Sequence, residues 1–175
     1  VNPEKIAGWR KAAARPADPA KRGNPKRVFV ALHRGAEGFM SRKQYEKFYW
    51  PGLKATILAL IDAGFTPYVF WEGDYTFRLP YLLEIPPGKI ICRLDRTDIY
   101  KAKKALGGHH CIAGGMLPSL LQTGSVQQVE DECTKLIEVV GKDGGFIMGS
   151  SCPLDEAKIE NVKAMVAAAR QYGKN

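Results

Sequence analysis

Apolar residues recur along this chain in two rhythms that take turns. Short β-prone runs at Val28-Phe29-Val30-Ala31-Leu32, Pro67 to Glu72, Lys89 to Leu94, His110 to Gly115 and Phe146 to Met148 are continuous rather than alternating, the pattern of strands buried on both faces. Between and after them the spacing widens to helical faces. The first carries Tyr45, Phe48, Leu53, Ile57, Leu60 and Ile61, and a short one starts near Pro80. A third carries Ile99, Ala102 and Leu106, a fourth Val129, Cys133, Leu136, Ile137 and Val140, and the last Ile159, Val162, Met165, Val166 and Ala169. Ser41 with Gln44 predicts a capping box, Thr97 a cap for the helix after the third strand, and Pro51 a bend or a fresh helix start.

Five strands each followed by a helix, with no hairpin signal between them, predict an α/β fold with a parallel sheet, either an open doubly wound sheet or part of a (β/α) barrel. A full (β/α)8 barrel needs eight such units, and this chain supplies five.

Composition changes the picture at one end. The net charge of +8 is concentrated in residues 1–27, where eight Lys or Arg face only Glu4 and Asp18. That leaves +2 for residues 28–175, so the body of the chain has no nucleic-acid footprint. Residues 1–27 are predicted as a basic helix over 3–14 followed by a linker marked by Pro16, Pro19, Gly23 and Pro25. No apolar run is long enough to span a bilayer, and no signal-peptide pattern opens the sequence. Four cysteines at 92, 111, 133 and 152 in 175 residues do not form a disulfide framework, and a reducing cytoplasm is the expected setting.

Candidate chemistry gathers where strands end. His33, Arg34 and Glu37 follow the first strand, Glu72 and Asp74 the second, Asp95 and Asp98 the third, and Cys152 the fifth. Asp95 and Asp98 divide between helix capping and the mouth. Glu72 ends an aromatic run ahead of a glycine, which places it at the rim. Cys133 falls on a helical stripe and reads as core, as does Cys92. Cys111 and Cys152 could share a metal, but a forty-residue separation matches no compact zinc spacing. His109 and His110 are adjacent, so in a strand they would point to opposite faces.

Five segments together resemble the uroporphyrinogen decarboxylase superfamily, most closely its corrinoid-dependent methyltransferase and O-demethylase-like members. They are Trp71-Glu72-Gly73-Asp74-Tyr75, Leu94-Asp95-Arg96-Thr97-Asp98-Ile99, Cys111-Ile112-Ala113-Gly114, Gly144 to Met148, and Glu160-Asn161-Val162-Lys163-Ala164-Met165. The resemblance runs from about Val28 to Gly173 and implies a (β/α)8 TIM barrel of which this chain is the C-terminal part. It also implies zinc-assisted methyl transfer from a small methoxylated or methylated donor to a corrinoid (cobalamin) on a partner protein. Cys152 stands at the family's later cysteine. Phe70-Trp71-Glu72 stands where His-x-Cys is common, so the implied ligand set is Glu72, Cys111 and Cys152, with Glu84 as a substitute acid. A carboxylate and two thiolates suit Zn2+ and leave a fourth position open for Lewis-acid chemistry. On this reading His33 or Glu37 places or protonates the departing oxygen. Two alternatives stand beside it. One is decarboxylation of a porphyrinogen without metal; the other is a non-catalytic barrel fragment that pairs with a second copy or with the missing N-terminal half.

Overall fold

The computed structural model describes residues 2–15 and 26–173. The linker expected around residues 16–25 lies outside them. Helix α1 (Pro3–Ala13) is capped by Asn2, whose side chain accepts from the Glu4 amide. It lays Trp9 and Ala13 against Leu60, Ala63 and Phe65, and Arg10 pairs with Asp62.

Strands β1 (Arg27–Leu32), β2 (Thr66–Trp71), β3 (Ile91–Leu94), β4 (Cys111–Met116) and β5 (Phe146–Ser150) form one sheet in the order β1-β2-β3-β4-β5, every pair parallel. This order decides between the two expected architectures. Each crossover steps to the next strand in the same direction and, being right-handed, puts every helix on one face. A doubly wound sheet reverses direction to cover both faces; an arc of a (β/α) barrel does not.

The helix layer follows its sequence signals closely. Helix α2 (Arg42–Gln44) opens with the Ser41 and Gln44 capping box and runs through a π-helical turn at Tyr45–Tyr49 into α3 (Trp50–Asp62). Pro51 lies in the first turn of α3. Because proline has no N–H and its ring crowds the preceding carbonyl, regular α bonding cannot pass through it, and the wider turn sits immediately upstream. After β2 come a 3-10 turn at Thr76–Arg78 and α4 (Leu79–Leu82). Helix α5 (Ile99–Leu106) is capped by Asp98, which accepts from the Tyr100 and Lys101 amides at 3.0 Å each. The expected cap, Thr97, instead accepts from the Tyr75 amide at 2.9 Å and ties two loops together. Helix α6 (Pro118–Thr123) was not expected. Helix α7 (Val126–Val139) carries the predicted stripe, whereas α8 (Ile159–Tyr172) buries Asn161, Ala164 and Ala168 and leaves Ile159 and Val166 of the expected stripe exposed, because small residues let it pack close against its neighbours.

The core lies between sheet and helices. Val69, Trp71, Cys92, Leu94, Ile112 and Met116 meet Ile57, Ala102, Leu106, Val129, Cys133 and Leu136, all buried. Cys133 is core as expected, and burial pushes its thiol up to about 11. By strand alternation the opposite face holds Phe29, Tyr68, Phe70, Arg93, Cys111 and Ile147. Phe29 stacks with Phe70 at 6.2 Å, and Arg93 lies over Phe70 at 4.9 Å. Phe29 is 54% exposed and Ile147 44%. In a closed barrel this face is the interior.

The adjacent histidines are not divided between two faces. They precede β4, and both bind the stretch around α4: His109 Nε2 contacts the Ile85 carbonyl at 2.9 Å and His110 Nε2 the Leu82 carbonyl at 2.8 Å. Burial lowers the His110 pKa below its ordinary 6.5; the Leu82 carbonyl opposes the shift and His109 adds to it. A histidine held neutral in the fold gains protons more readily when unfolded. Its stabilisation is therefore full above about pH 6.5 and is lost as pH falls below that value. The melting temperature of the protein is expected to fall between pH 7.5 and 5.5 by more than that of His110→Gln, which keeps a donor for Leu82 but does not titrate. Equal slopes in thermal scans would contradict this.

Candidate functional site

The C-terminal ends of the strands enclose a cavity of about 650 Å3 lined by residues from all five strand-end loops. Local bonds fix these loops. Asp95 accepts from the Gly73 amide at 2.9 Å, the Arg96 amide donates to the Gly73 carbonyl at 3.2 Å, and the Ser151 amide to the Met116 carbonyl at 2.8 Å.

His33 and Glu72 meet here, with His33 Nδ1 bonded to a Glu72 carboxylate oxygen. Both line the cavity, above a floor formed by Phe70. Cys152 lines it from the fifth loop. Burial pushes the Cys152 thiol up; the nearby Asp95 carboxylate pushes the same way, and Arg93 opposes, while the thiol donates to the Pro153 carbonyl at 3.7 Å. The thiol therefore keeps its proton at neutral pH, and a metal would have to displace that proton to bind.

Two expected members are elsewhere. Cys111 opens β4, paired with Ile91 at the N-terminal end of the ladder. Glu72 follows Trp71, which is level with Leu94 and Gly114. At about 3.3 Å per residue, Cys111 sits roughly 13 Å below Glu72 and roughly 17 Å below Ser150, the last residue of β5 ahead of Cys152, beyond the reach of one ion whose ligand bonds are about 2.0–2.3 Å. Among the described residues no three His, Cys, Asp or Glu side chains are grouped to hold a metal. Glu37 does not line the cavity. Its amide donates to the Asp74 carbonyl at 2.8 Å and its carboxylate accepts from the Phe77 amide, so it staples the first loop to the second. Glu84 is also elsewhere: it accepts from Lys54 at 2.7 Å and from Trp50 at 3.1 Å within the helix layer.

Sequence reasoning left Asp95 undecided and passed over Arg96 and Ser151. Asp95 caps no helix; it accepts from the Gly73 amide near the Cys152 thiol. The one available signal was position, since each follows a β-run directly.

Strands in sequential parallel order, helices on one side and a polar cavity at the strand ends define a (β/α)-barrel enzyme scaffold. The uroporphyrinogen decarboxylase (URO-D) family profile matches residues 28–172, and the chain belongs to that family. Among solved structures, a methyltransferase from Methanosarcina mazei superposes with a TM-score of 0.70 at 16% identity, covering 85% of this chain and 43% of its own. At that identity the likeness is one of fold. The chain thus spans less than half the length of that protein. No curated protein matches the sequence. No helix among the described residues is long and apolar enough to cross a membrane.

Proposed function

We propose that this chain forms the C-terminal part of a URO-D-family methyltransferase that moves a methyl group from a small methoxylated or methylated donor to a corrinoid carried by a partner protein. The observation that carries this reading is the convergence of the His33–Glu72 pair and Cys152 in one strand-end cavity. His33 is the group that protonates the oxygen released as the methyl carbon leaves, and Glu72 holds the imidazole in place for that transfer. Among the described residues, strands β1 and β5 each pair on one side only, which supports completion of the barrel by further strands or a second copy.

A zinc ion fits this site only in part. Glu72 and Cys152 line one cavity with His33 and Asp95, Cys111 does not, and among the described residues no three of these side chains are grouped to hold a metal. Zinc retained by the protein is expected to drop in Cys152→Ser and to be unchanged in Cys111→Ser, measured by elemental analysis of purified variants. Zinc lost from the Cys111 variant would restore the original ligand set.

The reading is tested by incubating the protein with reduced cobalamin and a methoxylated aromatic donor and following the absorbance of the methylated corrinoid. Methyl transfer that falls in His33→Ala is the expected result. No transfer with any methoxylated or methylated donor, together with carbon dioxide release from a porphyrinogen, would replace it with decarboxylation.

A further inference from the structure

The first strand-end loop carries His33 and is built on the second loop more than on its own chain. Glu37 bonds to that loop twice, donating its amide to the Asp74 carbonyl and accepting the Phe77 amide at its carboxylate. A Cβ at Gly73 would lie 2.7 Å from the Ala36 Cβ, and one at Gly35 would collide with the Tyr75 hydroxyl and lie 2.6 Å from the Tyr49 ring. Where the first loop ends, the Met40 carbonyl accepts from Arg78 Nη2 at 2.7 Å. Arg78 is the unusual member of this contact. It is 3% exposed, and among the described residues it has no ion-pair partner. Its guanidinium carbon lies 4.1 Å from the centre of the Tyr45 ring and 5.9 Å from that of Tyr75, and Nη1 has no hydrogen-bond partner. Burial pushes both phenols well above their ordinary 10, with Arg78 opposing, so neither is a phenolate that could neutralise the guanidinium. A charge buried without a counter-charge costs stability relative to an apolar side chain of like size, and such costs are kept at functional sites.

We infer that Arg78 is a positioning residue of the strand-end site: gripped between Tyr45 and Tyr75, it fixes the far end of the first loop and so sets His33 against Glu72. His33 does not place itself. Its side chain is 67% exposed, and an exposed ion pair is too weak to hold a loop. The backbone beneath the ring must set it, and that backbone is tethered by Leu32 of β1 at one end and by Arg78 at the other. Arginine suits the task because its planar fork stacks on rings while one edge donates to a carbonyl. The effect on rate rests on the proposed role of His33 as proton donor; the placement of the imidazole does not.

The experiment uses the whole chain with Arg78→Met, Arg78→Lys and, as the reference, Glu72→Ala, and reads the imidazole nitrogens of His33 in long-range 1H–15N NMR spectra. Glu72→Ala removes the partner of Nδ1 and shifts that resonance. Arg78→Met is expected to shift it in the same direction by a comparable amount, and Arg78→Lys, which keeps the charge but not the fork, by less. Methyl transfer by Arg78→Met is expected to fall about 10²-fold in kcat, with the KM for the donor within about twofold of the wild type. An unchanged kcat, or a folded Arg78→Met whose Nδ1 resonance stays at the wild-type position, would overturn the inference. Should Arg78→Met not fold, Arg78→Lys is read in its place, and an unmoved Nδ1 resonance there overturns it likewise. Should the wild type transfer no methyl group, the resonance decides alone, so failure of the proposed reaction and failure of this inference are separate results.

Discussion

Glu72→Gln is expected to lower methyl transfer by about 10²–10³-fold while the melting temperature stays within a degree or two. The carboxylate holds His33 by its Nδ1 in the strand-end cavity. Glutamine keeps the shape but removes the charge that orients the ring, and a positioned acid–base group contributes on the order of 10²–10⁴ in rate. Stability is spared because both side chains are largely in water, 67% and 43% exposed, and exposed pairs contribute roughly 0–1 kcal/mol. His33→Ala should cost about as much in rate as Glu72→Gln. The double variant should fall little further than either single one, since the two residues act as a unit. Single-turnover methyl transfer and thermal scans on the same samples provide the check. Fully additive losses would show that the residues act separately and would end the assignment of Glu72 as the partner of His33.

The largest effect on stability is expected at Gly114. Its φ is +111°, and an added Cβ would lie 2.9 Å from the Leu94 carbonyl oxygen and 3.4 Å from the Ser151 Cα. A side chain there must hold a backbone conformation that L residues rarely adopt, costing about 1–3 kcal/mol. It must also push against a rigid backbone atom of the paired strand, costing about 1–3 kcal/mol more. Gly114→Ala is therefore expected to lose about 2–6 kcal/mol in denaturant unfolding. The matched control is Gly149→Ala in β5, where an added Cβ meets nothing within 4 Å and φ is ordinary; it should cost far less. Equal losses at the two positions would mean that the strain at Gly114 is not held by the fold. The strained segment lies directly under Ser151, so the same glycine that lets β4 pass close to β3 also sets the height of the cavity wall.

Much of the fold was legible in local pattern because local pattern has local causes. The stripe of Val129, Cys133 and Leu136 specified a buried helix face whatever it packed on. The capping box at Ser41 and Gln44 needed only three residues. Glu72 was legible as a rim residue because an aromatic run ended one position before it. Cys111 was misplaced because a run of apolar residues shows that a strand exists but not how deep each position lies. The motif Cys111-Ile112-Ala113-Gly114 lies in β4 as expected, yet pairing with Ile91 puts its thiol at the far end of the ladder. Glu37 was misplaced for a related reason: its carboxylate is taken by the Phe77 amide, forty residues away in a loop that no periodicity describes. The two histidines were assigned to opposite faces by a strand rule, and β4 begins only after them.

By itself the sequence determined five βα units, their order along the chain, the buried face of α7 and the family to which those segments belong. Each follows from spacing within a dozen residues, where the backbone period alone decides which side chains share a face. The tertiary structure decided what depends on pairing between distant segments. It placed the strands in sequential order, so that the sheet is an arc of a barrel. It joined His33 to Glu72, left Cys152 beside Asp95 and separated Cys111 from both. Hydrogen-bond register between strands sets depth, and register is a property of two segments at once, so no single stretch of sequence contains it.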